Sequence, residues 1–147
     1  MSTTQPDQAK LDLQYRTQLI LWVGFLSMFF VYYFLPAVIP WQRQPENQTL
    51  RIIFNVMSPL LVATSFFVKW RFLSRSVAAQ DVRLVNTGFI VAAAFCEAGA
   101  LLGLLDFLTA HDRYYFILIG FALFGLVLHF PRRIHLEAAS YKSLAAG

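Results

Sequence analysis

The sequence predicts an all-α, polytopic membrane protein: a single domain, residues 1–147, with four transmembrane helices and both termini in the cytoplasm. Three observations predict it. Hydrophobic residues make up 58% of the chain and charged residues 14%, with mean hydropathy +0.56, whereas soluble domains carry roughly 25% charged residues. Four stretches are long and apolar enough to cross a hydrocarbon core of ~30 Å, which takes about 20 residues. Lys and Arg are distributed unevenly among the segments between those stretches.

The first seventeen residues, MSTTQPDQAKLDLQYRT, are polar. No small-residue cleavage site follows a short apolar region, so no cleavable signal peptide is expected. The first helix is expected over about 19–39, LILWVGFLSMFFVYYFLPAVI, and is followed by the polar loop PWQRQPENQTLR, whose Trp41 suits a membrane interface. The second, about 52–70, leads into RFLSRSVAAQDVRL, a link able to prolong that helix beyond the membrane before turning. The third covers about 85–108 and the fourth about 114–130. The link between them, TAHDR, is so short that the two must be antiparallel neighbours. Tyr114 and Tyr115 anchor the start of the fourth helix. Residues 131–147 are expected to form a short cytoplasmic tail that begins helical.

All four stretches are apolar around most of their circumference, as helices facing lipid and one another must be. Ten-residue alternating segments are absent, which excludes a transmembrane barrel. The single cysteine cannot form an intramolecular disulfide. Lys10, Arg16, Lys69, Arg71, Arg75, Arg83, Arg132, Arg133 and Lys142 fall on one side of the expected membrane, and Arg43, Arg51 and Arg113 on the other. The positive-inside rule therefore puts both termini in the cytoplasm. The net charge of +4 belongs to this asymmetry and not to a coherent nucleic-acid-binding surface. The basic residues read as anchors against anionic lipid. The expected setting is multi-pass in a bacterial plasma membrane.

One residue breaks the apolar pattern. Glu97 lies inside FIVAAAFCEAGALLGLLDFL, about twelve residues into the third helix, or ~18 Å along it. An ionised acid at mid-bilayer costs about 2.5–3.5 kcal/mol on insertion scales, so the neutral form is the expected resting state. Such an acid suits proton or cation binding. Gly88, Ala92, Cys96, Gly99, Ala100 and Gly103 surround it with small side chains, which let helices approach closely. On the second helix, Pro59 frees the carbonyl of Asn55. Asn55, Ser58 and Thr64 are therefore expected as ligands or hydrogen-bond partners beside Glu97, although Pro59 also reads as a simple packing kink.

The stretch VRLVNTGFIVAAAFCEAGALLGLL, residues 82–105, resembles the carboxylate-bearing helix of the proteolipid c subunits of rotary ATPases. The matching residues are Arg83, Thr87, Ala94, Glu97, Ala98 and Gly103. The resemblance implies that Glu97 is an ion-carrying carboxylate and that the link before it faces the cytoplasm.

Other polar residues carry weaker readings. His111 falls near the outer end of the fourth helix, and His129 and His135 at or beyond its inner end, so no bis-histidine haem pair is expected and the latter two read as interfacial. Cys96 reads as packing. Asp106 and Asp112 read as partners of Arg113 at the water interface, or Asp106 as part of an ion's exit path. The chain has no nucleophile–base pair, metal-ligand cluster or phosphate loop; neither catalysis nor a cofactor is expected. Two functions remain open. One is proton or cation handling at Glu97 in a homo-oligomer or beside other membrane subunits. The other is a structural or accessory subunit in which Glu97 is a polar contact within the bilayer.

Overall fold

The computed structural model describes residues 5–39, 47–110 and 112–145, with side chains for 8–39, 47–110 and 112–140. The described residues form five α-helices and no strand: α1 (Gln5–Val38), α2 (Gln48–Ala79), α3 (Val82–Leu105), α4 (Tyr115–Leu128) and α5 (Arg133–Ala145). A π-helical turn, Asp106–Ala110, extends α3. Three helices are long and apolar enough to cross a membrane: Gln8–Val38, Gln48–Ala79 and Val82–Ala110. A fourth span results if α4 and α5, bent by 46° at a short break, are counted together. The exposed side chains agree with an apolar surrounding: Ile20, Val38, Ile52, Phe67 and Phe124 are each more than half exposed, in a pattern that water would penalise.

Local chemistry sets the helix ends. Asn47 precedes α2 with extended backbone, and its side-chain oxygen accepts from the Leu50 amide at 3.2 Å. This satisfies one of the orphan donors of a helix N-terminus. Gln80, with φ 51°, takes the left-handed conformation that ends α2 and donates its amide to the Ser76 carbonyl. Asp81 immediately caps α3, accepting from the Arg83 amide at 2.9 Å. Only two residues therefore join α2 to α3, and the pair is an antiparallel hairpin. Pro59 is accommodated inside α2, which runs on for twenty residues to Ala79.

α3 lies at the centre. Half of its apolar window is buried, against 11% for α1 and 17% for α2. Small residues make this possible: a Cβ at Gly88 would lie 2.5 Å from Cβ of Phe72 on α2, so these helices meet where only hydrogen fits. α1 packs through Leu11, Tyr15, Gln18, Trp22, Phe25, Phe29, Tyr32 and Pro36, all buried or partly buried. Their alternating spacing of four and three residues is a heptad seam. Trp22 fixes its register by donating its indole N–H to the Leu126 carbonyl at 3.1 Å and meeting Phe130 edge to face at 5.2 Å.

The main core joins Phe29, Val62, Ala93, Cys96, Ile119 and Leu126 from four helices. A second, smaller core joins Leu11, Val85, Leu136 and Ala139. The tail is thus more than a helical start. α5 folds back on the bundle, and Arg133 bridges Asp12 of α1 at 3.1 Å and Glu137 at 2.9 Å. The beginning of α1, the α2–α3 link and α5 share one end, here termed the basic end. At the opposite end the Asn47 amide donates to the Ala110 carbonyl at 3.2 Å. Asp112, expected to pair with Arg113, instead lies 3.8 Å from Arg51 and accepts from the Tyr114 amide. Arg113 turns to Tyr114, donating to its hydroxyl and covering its ring.

Candidate functional site

Glu97 lies fifteen residues after Val82 and thirteen before Ala110, near the middle of that span by helix rise. Its direction follows from the 3.6-residue period. Thr87, Ile90, Ala94, Leu101 and Leu105 are exposed and form one stripe along α3, and Glu97 falls on it between Ala94 and Leu101. The acid is partly buried, on the margin of the outward face.

One helix reaches it there. Tyr32 of α1 donates its hydroxyl to Oε1 of Glu97 at 2.8 Å. A helical side chain leans toward the N-terminus of its own helix, so the phenol of Tyr32 descends from the far half of α1 toward the middle of the bundle. Its ring is braced by Phe29, with centroids 6.2 Å apart. Among the described residues, Oε2 of Glu97 takes no hydrogen bond and no basic side chain pairs with the carboxyl. The group therefore has one oxygen positioned by a phenol and the other available to a proton, an ion or a neighbouring chain.

The α2 residues named from the sequence behave differently. Ser58 is fully buried and donates to the Gly99 carbonyl at 3.0 Å, stapling α2 to α3 one half-turn beyond Glu97. The exposed Asn55 donates to its own helix, to the Arg51 carbonyl at 2.9 Å. Thr64 likewise donates to the Leu60 carbonyl at 2.8 Å. The hydrogen bond to Glu97 thus comes from α1 and not from α2. Gly88, Ala92, Cys96, Gly99, Ala100 and Gly103 are all buried, on faces of α3 other than the stripe that carries Glu97.

A second polar group lies deeper. Ser65 of α2 donates its hydroxyl to the Val62 carbonyl at 2.6 Å and lies 2.7 Å from Nε2 of His129. The Cys96 thiol points at the same oxygen, at 3.5 Å. Nδ1 of His129 is buried and has no hydrogen-bond partner among the described residues. His129 is only 1% exposed, and its ring lies 4.5 Å from that of Phe66 at a 44° tilt, so the histidine expected at the interface is enclosed by the bundle. Gly125 makes room for this group: a Cβ there would lie 2.7 Å from Val62 Cγ1 and 3.2 Å from the Cys96 sulfur.

Sequence reasoning missed both Tyr32 and the Ser65–His129 pair. Tyr32 was findable only through the heptad seam of α1, which ends at Tyr32 and Pro36. Ser65 carries a similar signal, since Ser58, Val62, Ser65, Lys69, Phe72 and Ser76 follow the same spacing on α2. No group of three or more His, Cys, Asp or Glu able to hold a metal ion occurs among the described residues. Compared with family models, curated proteins and solved structures, the chain matches none.

Proposed function

We propose that the protein is a four-span membrane protein with cytoplasmic termini, α4 being the fourth span and α5 lying beyond it, seated in a bacterial plasma membrane, that binds and releases a proton or cation at Glu97. The observation that carries this reading is a mid-span carboxyl on an outward-facing stripe, one oxygen held by Tyr32 and the other free of hydrogen bonds. Burying an acid among apolar helices is unfavourable unless it has a task or a partner. A fully structural acid would be expected to have both oxygens engaged. Tyr32 acts as the positioning residue, keeping the carboxyl in one rotamer while its second oxygen exchanges its occupant.

The local likeness to rotary c subunits supports the same reading. Arg83, Thr87, Ala94 and Glu97 lie on the outward stripe of α3, the face a neighbouring subunit would meet. That placement suits assembly as a homo-oligomer or beside other membrane subunits. Ser58 serves the site indirectly by fixing α2 against α3.

Reaction with a hydrophobic carbodiimide tests the proposal, since such reagents modify protonated carboxyls that lipid can reach. Glu97 is expected to label in native membranes, and Glu97→Gln should abolish it. Tyr32→Phe is expected to label faster than wild type, because Oε1 loses its hydrogen-bond donor. Absence of labelling, together with a Glu97→Gln variant that assembles and behaves as wild type, would leave only the polar-contact reading.

A further inference from the structure

Lys69 of α2, Arg132 in the α4–α5 link and His135 of α5 converge at the basic end of the bundle, where with Gln18 of α1 they line one crevice. We propose that a phosphate group binds at the mouth of this crevice, held by Lys69 and Arg132 with His135 at the rim. The crevice itself measures about 10 Å³, space for roughly one water, so the anion sits on it and not within it.

The charges lack compensation. Among the described residues, neither Lys69 nor Arg132 enters an ion pair, while the next residue, Arg133, has both Asp12 and Glu137. Asp81, a further acid at this end, caps α3. Two cations held together without a carboxylate repel one another unless an anion joins them. The imidazole registers that field: burial first, then the Lys69 and Arg132 cations, push the His135 pKa below its ordinary value. Gln18, only 3% exposed, is held in the floor by donating to Oδ1 of Asn86 at 2.5 Å.

The chemistry and the depth both favour phosphate. A guanidinium offers paired N–H donors to two phosphate oxygens, and the lysine ammonium adds a compact charge. Lys69 directly follows the apolar part of α2, and Arg132 directly follows α4. Both cations therefore stand at one apolar boundary, the level of lipid phosphates. Leu73, partly exposed beside them, is an apolar contact suited to the first methylenes of an acyl chain. A free phosphate would share the charge chemistry but not this contact.

The test uses full-length protein, delipidated in neutral detergent and followed by native mass spectrometry and thermal unfolding. Phosphatidylglycerol, diacylglycerol and inorganic phosphate are added separately. Phosphatidylglycerol is expected to stay bound and raise the melting temperature, and diacylglycerol to do neither. Arg132→Gln, at an exposed position, should weaken phosphatidylglycerol several-fold, and Lys69→Gln/Arg132→Gln about tenfold or more. The charge-keeping pair Lys69→Arg/Arg132→Lys should retain it. Stabilisation by inorganic phosphate alone, lost in Arg132→Gln, identifies a soluble phosphate as the occupant. The proposal is overturned if phosphatidylglycerol and diacylglycerol behave alike with phosphate inert. It is equally overturned if Arg71→Gln/Arg75→Gln loses as much affinity as the Lys69/Arg132 pair.

Discussion

Gly88→Ala is the sharpest test of how α2 and α3 are held together. The added Cβ would lie 2.5 Å from Cβ of Phe72 and 3.2 Å from its Cγ. Two carbon atoms rest about 3.5–4.0 Å apart, so the contact is short by about an ångström. Phe72 cannot relieve it by changing rotamer, because its Cβ is carried by the backbone. The helices must separate, loosening the Ser58–Gly99 hydrogen bond and the packing of Val85 and Phe89. Overpacking of this kind costs about 1–3 kcal/mol, while alanine recovers about 1 kcal/mol of helix propensity over glycine. The same change at Gly24, where a Cβ would meet nothing within 4 Å, brings only the propensity term. The difference between the two variants therefore isolates the contact and should be about 1–3 kcal/mol, read as denaturant midpoints in mixed micelles. If Gly88→Ala is as stable as Gly24→Ala, the close approach of α2 and α3 is refuted.

Ser58→Ala leaves the Gly99 carbonyl without its interhelical donor and should lower stability by about 0.5–1 kcal/mol in the same assay; a stabilised variant would contradict the staple. His135 gives a pH dependence. Its folded pKa lies below the ordinary 6.5, chiefly through burial and then through Lys69 and Arg132. The unfolded chain therefore takes up the proton first, and the stability contributed by the neutral ring is complete above about 6.5 and lost as pH falls below it. The melting temperature should drop on acidification from pH 7.5 to 5.5, with a shallower drop in His135→Gln; equal slopes for the two proteins would argue against it.

Composition and helix-length apolar runs were enough to show an all-helical chain with several helices able to cross a membrane, because those properties depend on residue type and not on partners. The caps Asn47 and Asp81 are as local, yet the expected helix starts, near 52 and 85, passed over them. The expected first helix fell short at its polar end, since α1 starts at Gln5, whereas α2 runs on to Ala79 through the link read as able to prolong it. A hydropathy window measures what lipid can cover, whereas backbone hydrogen bonds and packing on α5 carry the helices further.

Glu97 was visible in the sequence as an acid in an apolar helix, but its partner was not. Tyr32 lies 65 residues away, and only the packing of α1 against α3 decided that a phenol, and not Asn55 or Thr64, would meet the carboxyl. The same holds for His129, whose apolar neighbours along the chain do not announce Ser65, and for Lys69, Arg132 and His135, which three separate elements bring to one crevice. Residue chemistry settled what could live in a membrane. Which polar groups touch was settled by rotation and register between helices, quantities that no single helix contains.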